Sequence, residues 1–205
     1  MAKRNTLTEK ILHRLSHWAA DRVFSRGDLL DLGSTDAIGM ALMRLERRGK
    51  IRRVGRGFYD RPRTHPQIGP LSPSGEELAR AMARKEGSRL GTSGAEAANL
   101  LRLSEQVPAK AVYLTDGRSR TIPLGKGTIR FRGRSPRTMA RAGRMSGLVF
   151  TALRELGKKH VTRPQVQHLR KLLRKEDRRR LLKDIRYSPA WMHPHIRLIA
   201  GEQSS

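Results

Sequence analysis

The stretch that decides the fold is Ser34-Thr35-Asp36-Ala37-Ile38-Gly39-Met40-Ala41-Leu42-Met43-Arg44-Leu45, followed after Gly49 by Ile51-Arg52-Arg53-Val54-Gly55-Arg56-Gly57-Phe58-Tyr59. Ser34 is a helix N-cap residue, because its hydroxyl can accept a hydrogen bond from a backbone N–H that has no helical partner. Ile38, Ala41, Leu42 and Leu45 then recur on one face of a helix, and Gly49 ends it. The next segment changes period. Ile51 to Val54 and Phe58-Tyr59 are β-rich runs on either side of Gly55-Arg56-Gly57, the pattern of a tight hairpin.

Upstream, Thr6-Leu7-Thr8-Glu9 has capping-box spacing, and Leu7, Ile11, Leu15 and Trp18 line one face of a helix ending near Ala20. Ser25-Arg26-Gly27-Asp28 opens a short second helix carrying Leu29, Leu30 and Leu32, which Gly33 stops. Three helices followed by a hairpin predict a winged helix-turn-helix over residues 1–63.

Downstream, Pro62, Pro66, Pro70 and Pro73 interrupt a stretch with little apolar periodicity, so residues 64–73 are expected to be a linker. Residues 74–205 then form a second domain. Ser74-Gly75-Glu76-Glu77 has capping-box spacing and opens a helix that closes at Gly87. A short strand over 89–92 and a helix over 93–103 follow. The β-rich runs 111–115, 121–124 and 128–132 are separated by Asp116-Gly117 and Gly125-Lys126-Gly127, which predicts a three-stranded meander. From about 145 to 200 the pattern is helical, with breaks near Gly157, Pro164 and Ser188-Pro189. The expected fold class is α+β: a winged helix-turn-helix, then a mixed domain with a small antiparallel sheet and C-terminal helices.

Charge limits the function. Lys and Arg number 44 against 18 Asp and Glu, a formal +26, far beyond what solubility requires, and the implied partner is a polyanion. Residues 1–63 carry 15 basic and 7 acidic side chains, and 64–205 carry 29 and 11, so both halves are basic. No stretch approaches the roughly 20 apolar residues of a membrane span. Met1-Ala2-Lys3-Arg4 is not followed by a secretory apolar region, and cysteine is absent. A cytoplasmic protein without disulfides, away from the membrane, is expected.

At 100° per residue, Asp36, Met40, Met43 and Arg47 lie opposite Ile38, Leu42 and Leu45, with Gly39 and Arg44 flanking and Ser34 and Thr35 at the leading end. In a helix-turn-helix this face enters the major groove. Arg44 suits guanine, Met40 or Met43 a thymine methyl, and Asp36 either the helix dipole or a cytosine amine. Arg52, Arg53 and Arg56 suit phosphates or the minor groove. Residues 117–144 hold nine Arg or Lys and no acid, and Arg118, Arg120, Lys126, Arg130, Arg132 and Arg134 are expected to add nucleic-acid contacts. The same pattern also fits a protein-docking winged helix with a solvated basic face.

Enzyme signatures are missing. Gly125-Lys126-Gly127-Thr128 lacks both the upstream glycine and the Ser/Thr of a phosphate loop. His193-Pro194-His195 has no acidic residue beside it, and no paired carboxylates stand at catalytic spacing. No enzymatic activity, cofactor or metal is expected. The run 170–186, rich in Lys and Arg, reads as one helix burying Leu169, Leu172, Leu173, Leu181, Leu182 and Ile185.

The order of Ser34 to Leu45, the run Ile51 to Asp60, and the later Val107-Pro108-Ala109-Lys110, Tyr113-Leu114-Thr115-Asp116-Gly117 and Arg120-Thr121-Ile122 resemble the AbiEi-type antitoxins. These are abortive-infection, type IV antitoxin regulators of bacterial phage defence, and the resemblance covers roughly residues 5–160. It implies a repressor that binds inverted repeats in double-stranded operator DNA of its own toxin-antitoxin operon. It also implies a C-terminal domain that counters a nucleotidyltransferase toxin encoded alongside, without needing a stable complex. The heavy basic tail departs from that pattern and points to DNA contact by the second domain. The alternative is a general nucleic-acid binder, on structured RNA or non-specific DNA, without antitoxin activity.

Overall fold

The computed structural model describes residues 6–124 and 127–202. The chain is a mixed α+β protein of two compact units, Met1–Gly87 and Ser88–Ser205. Among the described residues no helix is long and apolar enough to cross a membrane.

In the first unit, α1 (Leu7–Ser16) starts at the capping box, where Thr6 N donates to Glu9 Oε2 at 2.8 Å and Glu9 N donates to Thr6 Oγ1 at 3.3 Å. A two-residue strand β1 (Phe24–Ser25) leads into the short second helix, a 3-10 helix over Arg26–Leu32. The tighter coil suits a short piece, and it ends at Gly33. Ser34 caps α2 (Thr35–Arg47) by accepting from Ala37 N at 3.3 Å. Strands β2 (Arg52–Gly55) and β3 (Phe58–Asp60) follow, and Gly57 takes φ +78° at the tip, a conformation that costs other residues a Cβ clash. The sheet order is β1-β3-β2, antiparallel throughout, with a bulge between Arg53 and Gly55. Ile11, Leu15, Phe24, Leu29, Ile38, Leu42, Leu45 and Ile51 form the core, each such side chain stabilising by roughly 1.5 to 3 kcal/mol on burial.

The stretch 64–73 is not a bare linker. Strands β4 (Arg63–His65) and β5 (Gly69–Leu71) pair antiparallel across it, and α3 (Gly75–Glu86) belongs to the first unit. The units therefore divide after Gly87, not between 63 and 74. Arg84 on α3 explains this, since its Nη2 donates to Val23 O at 2.6 Å and its Nε lies 3.2 Å from Asp28 Oδ1. Ser74 caps α3 through Glu77 N at 3.1 Å, but Glu77 turns to Arg80 at 3.6 Å, so only half of the expected capping box forms.

The second unit contains β6 (Leu90–Thr92), α4 (Gly94–Leu100), β7 (Ala111–Thr115), β8 (Arg120–Leu124) and β9 (Gly127–Gly133). Its sheet order is β6-β7-β9-β8, with β7 and β9 parallel. The expected meander is wrong: β9 lies between β7 and β8. Ser119, in the β7–β8 connection, accepts from Gly133 N at 2.8 Å and so holds the end of β9 in that slot. Helices α5 (Pro136–Met139), α6 (Met145–Leu156), α7 (Arg163–Leu172), α8 (Lys175–Lys183) and α9 (His193–Ala200) complete the unit. The helical pattern breaks over 157–162, and Pro164 follows in the first turn of α7, where a missing N–H costs nothing.

The run 170–186 is two helices, because Leu173 and Arg174 are extended between α7 and α8. The charge order fits that break, with Glu176 and Asp177 at the start of α8 and Arg170 and Lys171 at the end of α7. Leu173 and Leu181 are buried, whereas Leu172 is 40% exposed and Leu182 and Ile185 are half-buried. The core of this unit joins α4, α6, α7, α8 and α9 through residues such as Leu101, Val149, Leu153, Leu169, Met192 and Ile196.

Asp28 is the polar hub of the first unit. Its Oδ2 accepts from Ser25 N at 2.8 Å and Ser25 Oγ at 2.9 Å, and its Oδ1 lies 3.3 Å from Arg22 Nη2 and 3.2 Å from Arg84 Nε. Burial alone would raise its pKa, but the Ser25 hydrogen bonds and the two arginines outweigh burial and hold it below the usual carboxylate range. A carboxyl lowered by folding contributes stability above its unfolded value of about 3.9 and loses it as pH falls through the folded value. We therefore expect Asp28→Asn to cost about 2 to 3 kcal/mol in urea unfolding at pH 7, and that gap to close as pH drops below about 4. A gap that persists undiminished at low pH would locate the effect in packing instead.

Candidate nucleic-acid interface

The outer face of α2 is built by the same periodicity that buries Ile38, Ala41, Leu42 and Leu45. Ser34, Thr35, Asp36, Met40, Arg44 and Arg47 are exposed, Gly39 and Met43 are half-buried, and Met40 leaves 48% of its surface in water. A single exposed methionine is ordinary on a protein surface, so Met40 marks this face only together with the cations around it. Arg44 and Arg47 form no ion pair among the described residues, and neither does Arg56 at the hairpin tip. Arg53 is also exposed, its Nε 3.4 Å from Gly55 O.

Arg52 belongs to a different class from its neighbour. Its Nε and Nη2 grip Asp60 at 3.1 and 2.6 Å, and Nη2 also donates to Leu71 O at 2.7 Å. The Asp60 carboxylate is 3% exposed and pushes the Arg52 pKa up, first through its hydrogen bonds. Arg52 thus ties β2 to β3 and β5 through Nε and Nη2, a structural role beside the phosphate contact expected of it.

Two cations escape a reading of the sequence. Arg26 lies across α2 at Gly39, where an added Cβ would stand 3.2 Å from Arg26 Nη1, so the glycine makes room for the guanidinium. Its place inside a capping sequence hid this role. Lys85 puts its Nζ 5.1 Å from the Phe58 ring centroid, beside Gly57. It adds a charge at the hairpin tip from a helix that sequence reading places in the other domain.

The second-unit set does not share one surface. Arg130 and Arg132 are exposed on one face of β9, and Arg120 pairs across from Phe131, placing it on the other face. The Arg120 guanidinium stacks over the Phe131 ring at 4.7 Å. Arg118 is exposed in the turn after β7, and Lys126 lies outside the described residues. Arg132 and Arg134 meet Arg154 of α6 around a cavity in this unit. That grouping was invisible in sequence, since Arg154 sits in an apolar helix 20 residues beyond Arg134.

These assignments separate by stability. Arg52→Ala leaves the Asp60 carboxylate buried without its partner and should cost about 3 kcal/mol in chemical denaturation. Arg53→Ala and Arg56→Ala should stay within about 0.5 kcal/mol of the parent chain. Equal losses at all three positions would mean that Arg53 and Arg56 also hold the fold.

No curated protein matches the chain. Among solved structures, the crystal structure of the RV2827C protein from Mycobacterium tuberculosis aligns with 98% of this chain and 82% of its own, at 16% identity and a TM-score of 0.43. A superposition that loose carries no argument about this chain's activity. Residues 10–181 match a family of unknown function, DUF6088, and the chain belongs to that family.

Proposed function

We propose that the first unit is a winged helix-turn-helix, with α2 as recognition helix and the β2–β3 hairpin as wing, and that the chain is a cytoplasmic DNA-binding repressor. The observation that carries this reading is the outer face of α2. It offers Arg44 and Arg47, which have no ion-pair partner among the described residues, and an exposed Met40, the donor and apolar groups that base edges match. Arg53 and Arg56 on the wing, with Lys85 beside its tip, suit the flanking backbone. The resemblance to AbiEi-type antitoxins extends the proposal to an autoregulator of a toxin-antitoxin operon, whose second unit counters a nucleotidyltransferase toxin. No cofactor or metal enters this reading, and the chain acts as a regulator, not an enzyme.

A second reading has its own support. Arg170, Lys171, Arg174, Lys175, Arg179 and Arg180 are exposed on α7, α8 and the link between them, a surface that favours any nucleic acid by counterion release. Under that reading the protein is a general binder of structured RNA or non-specific duplex.

Footprinting on the chain's own upstream DNA, followed by titration of operator, random duplex and folded RNA from about 50 to 200 mM salt, separates the two. We expect a steep salt slope on every ligand, with the preference for operator surviving at the high end. Arg44→Ala should cut specificity at one base position by about 1 to 3 kcal/mol, whereas Arg56→Ala should weaken operator and scrambled duplex alike. Equal affinity for all three ligands at high salt would remove the repressor.

A further inference from the structure

The second unit has a cavity of about 220 Å³ whose walls include Arg132 and Arg134 from the end of β9, Arg154 and Thr151 from α6, and Ser93 before α4. Arg154 is half-buried, and both burial and the nearby Arg134 press its pKa below the ordinary arginine value. None of the three arginines has an ion-pair partner among the described residues. Among the described residues Glu155 is the single carboxylate on the wall, and it packs against the Gly94 backbone without an ion pair to any of them. The chain treats other sheltered arginines differently. Arg22, Arg52 and Arg141 each face an aspartate, at 3.3, 2.6 and 2.6 Å.

A cation held partly out of water beside two more is costly unless an anion joins it. Three arginines and one carboxylate on the wall leave a surplus of two positive charges, which matches a dianionic phosphoryl group better than a carboxylate, and Arg134 spends only Nη1 within the chain, on Gly133 O at 3.0 Å. The Thr151 and Ser93 hydroxyls add donors, Ser93 using its oxygen lone pair on Glu96 N at 3.2 Å while its O–H stays available. The cavity is about seven times the ~30 Å³ share of one water and below the ~300 Å³ at which drug-sized sites begin. It fits a phosphoryl head with few atoms attached, and a recess of that kind does not admit the diester backbone of a duplex.

We infer that this recess is a binding site for one terminal phosphoryl group, either free phosphate or the head of a small phosphate monoester, held by Arg132, Arg134 and Arg154. This site is independent of the DNA-binding reading of the first unit.

Isothermal titration of the full chain with inorganic phosphate, AMP and adenosine, at ionic strength matched with chloride, tests it. Phosphate and AMP should saturate one site and adenosine should not bind. AMP tighter than phosphate by about tenfold or more marks a nucleotide-type ligand, and similar affinities mark free phosphate. Arg154→Gln and Arg134→Gln should each weaken binding at least about tenfold, while Arg163→Gln, at the exposed start of α7, leaves it unchanged. Arg154→Gln should also raise the melting temperature of the ligand-free chain, because it removes a crowded cation. If Arg154→Gln does not fold, the exposed Arg134 carries the test. Non-saturating binding, or binding unchanged in the folded variants, would overturn the site and leave phosphate as a diffuse counter-ion of a +26 chain.

Discussion

Carboxylates are the scarce component of this protein, 18 of them facing 44 lysines and arginines, and where each is placed decides what the arginines can do. Asp28, Asp60 and Asp184 are sheltered, and each is committed to a guanidinium. Asp184 takes Arg141 Nε and the Ser146 hydroxyl, both at 2.6 Å, while the Arg141 guanidinium stacks over the Tyr187 ring at 3.8 Å. An arginine with such a partner is a structural strut. An arginine without one keeps its charge for something outside the fold, and self-repulsion among such groups is a standing cost of remaining unbound.

The same scarcity arranges the first unit. Asp28 gathers Ser25, Arg22 and Arg84, so one carboxylate both starts the 3-10 helix and anchors a helix that begins 47 residues later. Asp60 gathers Arg52, whose spare donor reaches Leu71. Between them these two aspartates bind the three-stranded sheet, the β4–β5 pair and α3 into one body. The acids are drawn toward these joints. Among the described residues, Arg44, Arg47 and Arg56 have no ion-pair partner.

Local chemistry made much of this legible. Thr6, Ser34, Ser74 and Ser93 announce helix starts because a hydroxyl before an apolar period has one efficient use, and the spacing of Ile38, Leu42 and Leu45 fixes which side of α2 is buried. What escaped depends on distance along the chain. Arg84 meets Val23 across 61 residues, and no window of sequence reveals that α3 belongs with the first unit. Strand alternation split the basic run 118–134, since Arg120 and Arg130 fall on opposite faces once β8 and β9 pair Arg120 with Phe131. The candidate recognition face was readable as residues. The distinction between Arg52 and Arg53 was not, because it rests on a buried aspartate in the neighbouring strand.

The position of β9 has a kinetic meaning. It is the last strand of its sheet to be synthesised and is hydrogen-bonded to both β7 and β8, and among the described residues β8 pairs with no other strand. On a nascent chain β6 and β7 can zip together early, while β8 must wait, its N–H and C=O groups open to solvent, until Gly133 has emerged. Parallel pairing closes the loop between β7 and β9 late and at an entropic cost that local hairpins avoid. Pro123 and Arg120 within β8, Arg118 before it, and Arg130 and Arg132 along β9 discourage another chain from pairing with those waiting edges. Part of the chain's surplus positive charge thus also guards the unfinished protein against its own copies.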